Sequence, residues 1–99
     1  MPAMTDGVNW IDLRGRRMAE PGAESAYQGA RLAFDVGVSV RALREQRGLR
    51  QSQLARSSGL TQSVVARVEA GGAAPTLAIL DRLARVLDAE LVVRFDPNP

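Results

Sequence analysis

QSQLARSSGLTQSVVARVEAGG, residues Gln51 to Gly72, is the stretch whose reading decides the fold. Its apolar residues fall at helical intervals up to Gly59, pause, and resume after Thr61. The first run predicts a helix over Gln51 to Ser58 that buries Leu54 and Ala55 and stops at Gly59. Leu60 returns to the core, and Thr61 caps a second helix, its hydroxyl accepting from a free backbone N–H of the first turn. That helix runs to about Ala70, buries Val65 and Val68, and ends at Gly71 and Gly72. Its remaining face carries Gln62, Ser63 and Arg67.

Upstream, the pattern is helical from about Glu24 to Arg47, with Tyr27, Ala30, Phe34 and Val38 (or Gly37), then Val36, Val40 and Leu43, at spacings of three and four. Gly29 and Gly37 each cost about 1 kcal/mol relative to Ala in a helix interior. They leave room for a kink near Gly37 and Ser39; Gly48 closes the helix as a left-handed cap. Downstream, Thr76 caps a helix in which Leu77, Leu80, Leu83, Ala84 and Leu87 form an apolar stripe, with Asp81 and Arg85 as an outer i, i+4 pair. Glu90 to Phe95 then alternate like a strand, with Leu91, Val93 and Phe95 on one face and Val92 on the other. A lone strand leaves its backbone groups unpaired, so the expected partner is the same segment of a second copy, with Leu91, Val92, Val93 and Phe95 as dimerisation residues. Residues 1 to 22 keep no period and read as a flexible arm, with VNWIDL (Val8 to Leu13) as a short apolar anchor. The organisation is therefore an arm over 1–22, a helical domain over 23–88 with its core motif at 51–71, and a strand and tail over 89–99.

Composition narrows the function. The 99 residues include no cysteine and no histidine, which excludes disulfides, thiolate or imidazole metal sites and every triad built on those residues. The carboxylates are scattered rather than clustered, so neither an enzyme nor a cofactor nor a small-molecule substrate is expected. No apolar run reaches the roughly 18 residues of a membrane span, and no secretory signal begins the chain, so no membrane partner is expected and the expected location is cytoplasmic. All 13 basic residues are arginine. Arg41, Arg44, Arg47, Arg50, Arg56 and Arg67 face Glu45 alone over their stretch, a local charge of +5 in a chain whose total is +2. Such a basic segment suits contact with phosphates.

Two short helices around a glycine turn form the helix-turn-helix, whose second helix fits the major groove of DNA. Val40 to Leu87 carries the motifs RGLRQ, QLA, SGLTQS, RVEAG and PTL in an order and spacing that resemble the Cro/C1-type helix-turn-helix, or XRE, family. The resemblance implies an all-α, lambda-repressor-like domain that binds double-stranded DNA at a near-palindromic operator as a homodimer. By that resemblance Gln62, Ser63, Val64 and Arg67 read base edges, Gln51 binds a phosphate, and Arg44 and Glu69 form a buried structural ion pair; Arg50 and Thr61 are expected as further phosphate contacts. Arg50 departs from the family, which usually has Ser, Thr or Asn there as a cap. An arginine cannot cap in that way, and the expected exchange is helix stability for a phosphate contact.

A second resemblance rests on AYQGARLAFDVG (Ala26 to Gly37) before the first helix of the motif and DAELVVRFDP (Asp88 to Pro97) after the last. Both are similar to HigA-type antitoxins, which implies autorepression and neutralisation of a RelE-like toxin. Three readings stay open at this point: an antitoxin and repressor, a stand-alone regulator, and an interaction module that has lost DNA.

Overall fold

The computed structural model describes residues 22–72 and 74–99, which form four helices. They are α1 (Ala23–Gln46), α2 (Gln51–Ser58), α3 (Gln62–Ala70) and α4 (Leu77–Val86). The proposed arm and its VNWIDL anchor lie outside the described residues. Gly29–Leu91 make one compact unit, in which α2 packs against both α3 and α4. Leu54, Val65, Leu83 and Leu87 are fully buried at its centre, joined by Val40, Ala55 and Val68. Each large aliphatic side chain so buried stabilises the fold by about 1.5–3 kcal/mol.

The four helices end alike. In each, an N–H two or three residues past the last helical residue returns to a carbonyl five residues back: Leu49 to Arg44 at 3.1 Å, Leu60 to Ala55 at 2.9 Å, Gly72 to Arg67 at 3.1 Å and Ala89 to Ala84 at 2.9 Å. The residue between must be left-handed; Gly48, Gly59 and Gly71 fill three of these positions and Asp88, at φ 54°, fills the fourth. Two helices open on the expected caps, Thr61 accepting from Val64 N and Thr76 from Ile79 N, each at 3.2 Å. The outer pair of α4 is formed as well, Arg85 Nε lying 2.9 Å from Asp81 Oδ2.

The first helix, whose continuity at Gly37 the sequence leaves open, runs unbroken from Ala23 to Gln46. Gly37 is buried because α1 crosses the end of α3 there: a methyl group at that position would lie 2.5 Å from Val68 O and 2.8 Å from Glu69 O. Gly71 serves the same crossing from the other side, where a methyl group would meet Phe34 Cα at 3.0 Å. Glycine is thus a contact residue here.

A correction concerns which apolar residues are inside. The inward face of α1 is Ala33, Gly37 and Val40, flanked by half-buried Val36 and Leu43. Tyr27, Phe34 and Val38, the larger members of the other stripe, are exposed at 47%, 59% and 50%. Close approach of two helix backbones selects small side chains at the crossing, which turns the large ones away. On α4, likewise, Leu77 is exposed while Ile79 packs against the core.

The expected strand does not form within the single chain: among the described residues there is none, and Glu90 to Phe95 carry no ladder. Leu91, Val92, Val93 and Phe95 are all exposed.

Candidate nucleic-acid interface

The sequence of α3 divides it cleanly. At 100° per residue, Val65 and Val68 share the inward side, and both are buried. Gln62, Ser63, Arg67 and Ala70 are exposed on the other side, with half-buried Ala66 among them. Ala66 and Ala70 were not singled out in the sequence, yet their small size lets a flat surface approach the helix between Gln62 and Arg67. Val64 stands apart from the proposed base-reading set: it is half-buried and packs against the core cluster. Thr61 is exposed beside them, its oxygen accepting from Val64 N while its hydroxyl hydrogen is free to turn outward.

Beneath this face lies a polar clamp. Arg44 of α1 holds Glu69 of α3 with two parallel bonds, Nε to Oε2 at 2.6 Å and Nη2 to Oε1 at 2.9 Å. Its third nitrogen, Nη1, donates to Leu49 O at 2.8 Å, so one guanidinium ties α1, α3 and the α1–α2 turn together. Gln51 of α2 completes the set, Nε2 donating to Glu69 Oε1 at 3.0 Å. The expected Arg44 and Glu69 pair is present, with side chains only 12% and 4% exposed. Burial alone would raise the Glu69 carboxyl, but hydrogen bonds from Arg44 and Gln51, with the charges of Arg44 and Arg41, outweigh it and hold the group below its ordinary value. Arg44 is raised chiefly by its hydrogen bond to Glu69.

The clamp has an electrostatic consequence. Glu69 is the only carboxylate on α2 or α3, and it is neutralised internally, so the exposed face of the pair presents no negative charge. Gln51 sits at the start of α2 with its amide oriented by Glu69, half-buried and fixed rather than free to rotate.

The structure sorts the six arginines of the basic segment. Arg41 is paired with Glu45 at 3.2 Å, and Arg44 is in the clamp. Arg47 reaches the far end of α4, donating from Nε to Leu87 O at 3.0 Å. Only Arg50, Arg56 and Arg67 make no side-chain hydrogen bond or ion pair among the described residues. The local excess of positive charge counted along the sequence is therefore half structural.

Arg50 precedes α2 in extended conformation, and the cap is one-sided: Gln53 Oε1 accepts from Arg50 N at 2.8 Å, while the Arg50 side chain offers no acceptor in return. Arg50 and Arg56 rim a shallow depression of about 350 Å³ on the outer side of α2, with Ser52, Gln53 and Ser57 between them. Arg67 rests its aliphatic stem against Gly72, where a methyl group would lie 3.3 Å from its Cγ.

A short helix fixed by a second, with a polar uncharged and cationic face turned out, defines a helix-turn-helix domain. Residues 40–93 match the family described as Helix-turn-helix, more than half of the chain, and the chain belongs to that family, as its Cro/C1-type motifs implied. It is also similar to the "Uncharacterized HTH-type transcriptional regulator y4dL" of Sinorhizobium fredii (strain NBRC 101917 / NGR234), with 43% identity over 54 residues. That stretch is 54% of this chain and 28% of the relative, so the chain spans under a third of the relative's length. The family match begins at Val40, inside α1, which leaves Ala23 to Ser39 as a helical extension in front of it. No helix among the described residues is long and apolar enough to cross a membrane.

Proposed function

We propose that this chain is a sequence-specific DNA-binding transcriptional regulator that reads a near-palindromic operator as a homodimer. One observation carries the reading: Gln62, Ser63 and Arg67 share the exposed face of a helix whose sole carboxylate is neutralised from within. Amide and guanidinium groups there suit two-point contact with adenine and guanine edges, worth about 1–3 kcal/mol each in discrimination. Arg50, Gln51 and Thr61 are the phosphate contacts of this reading, and Arg56 joins them as a further free cation. Such work is done at the chromosome, hence in the cytoplasm of a bacterium. The name of the Sinorhizobium relative, a transcriptional regulator, points the same way.

Selection from random DNA with the purified chain tests this. A recovered consensus, with Arg67→Ala losing preference at one base and Arg50→Ala weakening every sequence alike, is the expected outcome. The salt slope of Arg50→Ala should fall by about 1. Recovery of no consensus, or equal effects of both variants on all sequences, favours an interaction module that has lost DNA.

The finer reading is an autorepressing antitoxin of a toxin-antitoxin pair. It is supported by the helical extension before Val40, on which the HigA-type resemblance partly rests. Purification from its own cells, with mass spectrometry of whatever is retained, should recover a small RelE-like toxin. Recovery of the chain alone leaves a stand-alone regulator. The seat of the dimer contact is a separate matter: the tail from Leu91 to Phe95 offers strand pairing, and α1 offers an alternative.

A further inference from the structure

The exposed stripe of α1 is self-complementary. Phe34 and Val38 lie within about 40° of one another around the helix, and both are at least half exposed. Arg31 and Asp35 follow along one flank of the stripe, both exposed. They stand at the i, i+4 spacing at which Arg41 pairs with Glu45 at 3.2 Å and Arg85 with Asp81 at 2.9 Å, yet neither is ion-paired among the described residues. An apolar stripe edged by one unengaged cation and one unengaged anion, four residues apart, has a definite geometric complement. In an antiparallel helix pair about a two-fold axis, each flank meets the same flank of the other copy. A register centred near residue 33 sets Arg31 opposite Asp35 of the second copy, and Asp35 opposite its Arg31. The same register places Phe34 beside its own counterpart.

We propose that the outer face of α1 is a docking surface for a second copy of this chain, joined antiparallel through Phe34 and locked in register by reciprocal Arg31 and Asp35 pairs. This names the contact for the homodimer invoked above and moves it from the tail to the first helix. The tail has no ladder within the single chain, whereas α1 is already a formed helix. Two apolar side chains from each copy and two ion pairs form a small interface, so association belongs in the micromolar range.

The test is charge exchange in the full chain, followed by sedimentation equilibrium. Arg31→Glu places acids at both flank positions and Asp35→Arg places bases at both, so each variant alone should dimerise at least about tenfold more weakly than the parent. Mixed in equal amounts, the two should recover dimer to within about threefold of the parent, because opposite charges face each other again. Both sites are exposed, and circular dichroism of each variant checks that the fold is kept. Val92→Pro, which blocks strand pairing of the tail, should dimerise as the parent does. A parent that stays monomeric into the high micromolar range overturns the proposal. So does a mixture no better than its components, or a dimer that survives Arg31→Glu and is lost in Val92→Pro. DNA binding is measured separately with a single half-site, so failure of this contact and failure of the DNA reading are told apart.

Discussion

The two faces of α1 carry the same kind of sequence signal and end in opposite places. One face, Ala33, Gly37, Val40 and Arg44, lies against α3 and the core; the other, Tyr27, Phe34 and Val38, remains open. Hydrophobic periodicity marks both, since each repeats at three and four residues. Size is what separates them. A face that presses its backbone onto the carbonyls of Val68 and Glu69 can hold only Gly at the crossing and Ala one turn before it, so bulk moves to the far side. The larger apolar residues are the poorer guide to the core here, because the tightest packing is between backbones.

The largest expected effect breaks the inner face at its charged end. Arg44→Ala leaves the Glu69 carboxylate buried without its main partner and frees the Leu49 carbonyl, which should cost about 3–5 kcal/mol in urea unfolding. The same change loosens α3 against α1, so affinity for a selected operator should fall with stability. If stability holds within about 0.5 kcal/mol, the clamp is not what joins the two helices.

The pH dependence sharpens this. The Glu69 carboxyl is held below its ordinary value, so the pair's contribution is fully present above the unfolded carboxylate pKa of about 4.3 and is lost as pH falls through the lower folded value. Glu69→Gln should be less stable than the parent at neutral pH, and the gap should narrow on acidification below about pH 4. A gap of constant width across that range would mean that other carboxylates govern the acid limb.

Gly37→Ala comes next. Helix propensity favours the alanine by about 1 kcal/mol, but the added methyl must push Val68 O and Glu69 O aside. A net loss of about 1–3 kcal/mol in the urea midpoint is expected, with Gly29→Ala as the contrast, since nothing lies within 4 Å of a methyl there. Stabilisation by both would put α1 farther from α3 than the contact distances require.

How far the sequence carries differs by region for a physical reason. From Gln51 to Gly72 every boundary was legible, because short helices are set by local devices: Gly59 and Gly71 in left-handed positions, Thr61 accepting from Val64 N, Val65 and Val68 on one side. The Arg44 and Glu69 pair was legible through family resemblance, whereas the addition of Gln51 to its carboxylate and of Leu49 O to its guanidinium needed coordinates. Arg47 was counted with the phosphate-facing charges because charge along a sequence carries no direction; its bond to Leu87 O spans 40 residues. Val64, which the family resemblance sets among the base-reading residues, is half-buried against the core. The alternating Glu90 to Phe95 segment reads as a strand, but a strand is a relation between two segments, and within the single chain the second is missing.

Asp88 was invisible for a related reason. Nothing in the sequence distinguishes it from a solvated surface acid, yet it occupies the left-handed position that glycine takes after the other three helices. Asp88→Gly should therefore stabilise by about 1 kcal/mol, with α4 unchanged. A loss instead would show that its exposed contact to Arg47, 3.8 Å away, matters more than backbone strain.

The smallest effect belongs to the outer face of α1. Val38→Ala removes a side chain that is half exposed, from a helix position where alanine has the better propensity, so unfolding should shift by less than about 0.5 kcal/mol. The contrast with Gly37→Ala, one residue away, is the sharpest form of the comparison: adding one methyl inside should cost more than removing two outside. Self-association should respond in the reverse order, Val38→Ala weakening the dimer if the outer face is the contact between copies. A Val38→Ala chain that unfolds much more easily as a monomer would instead place that stripe against its own domain, and the distinction between the two faces would fail at its simplest point.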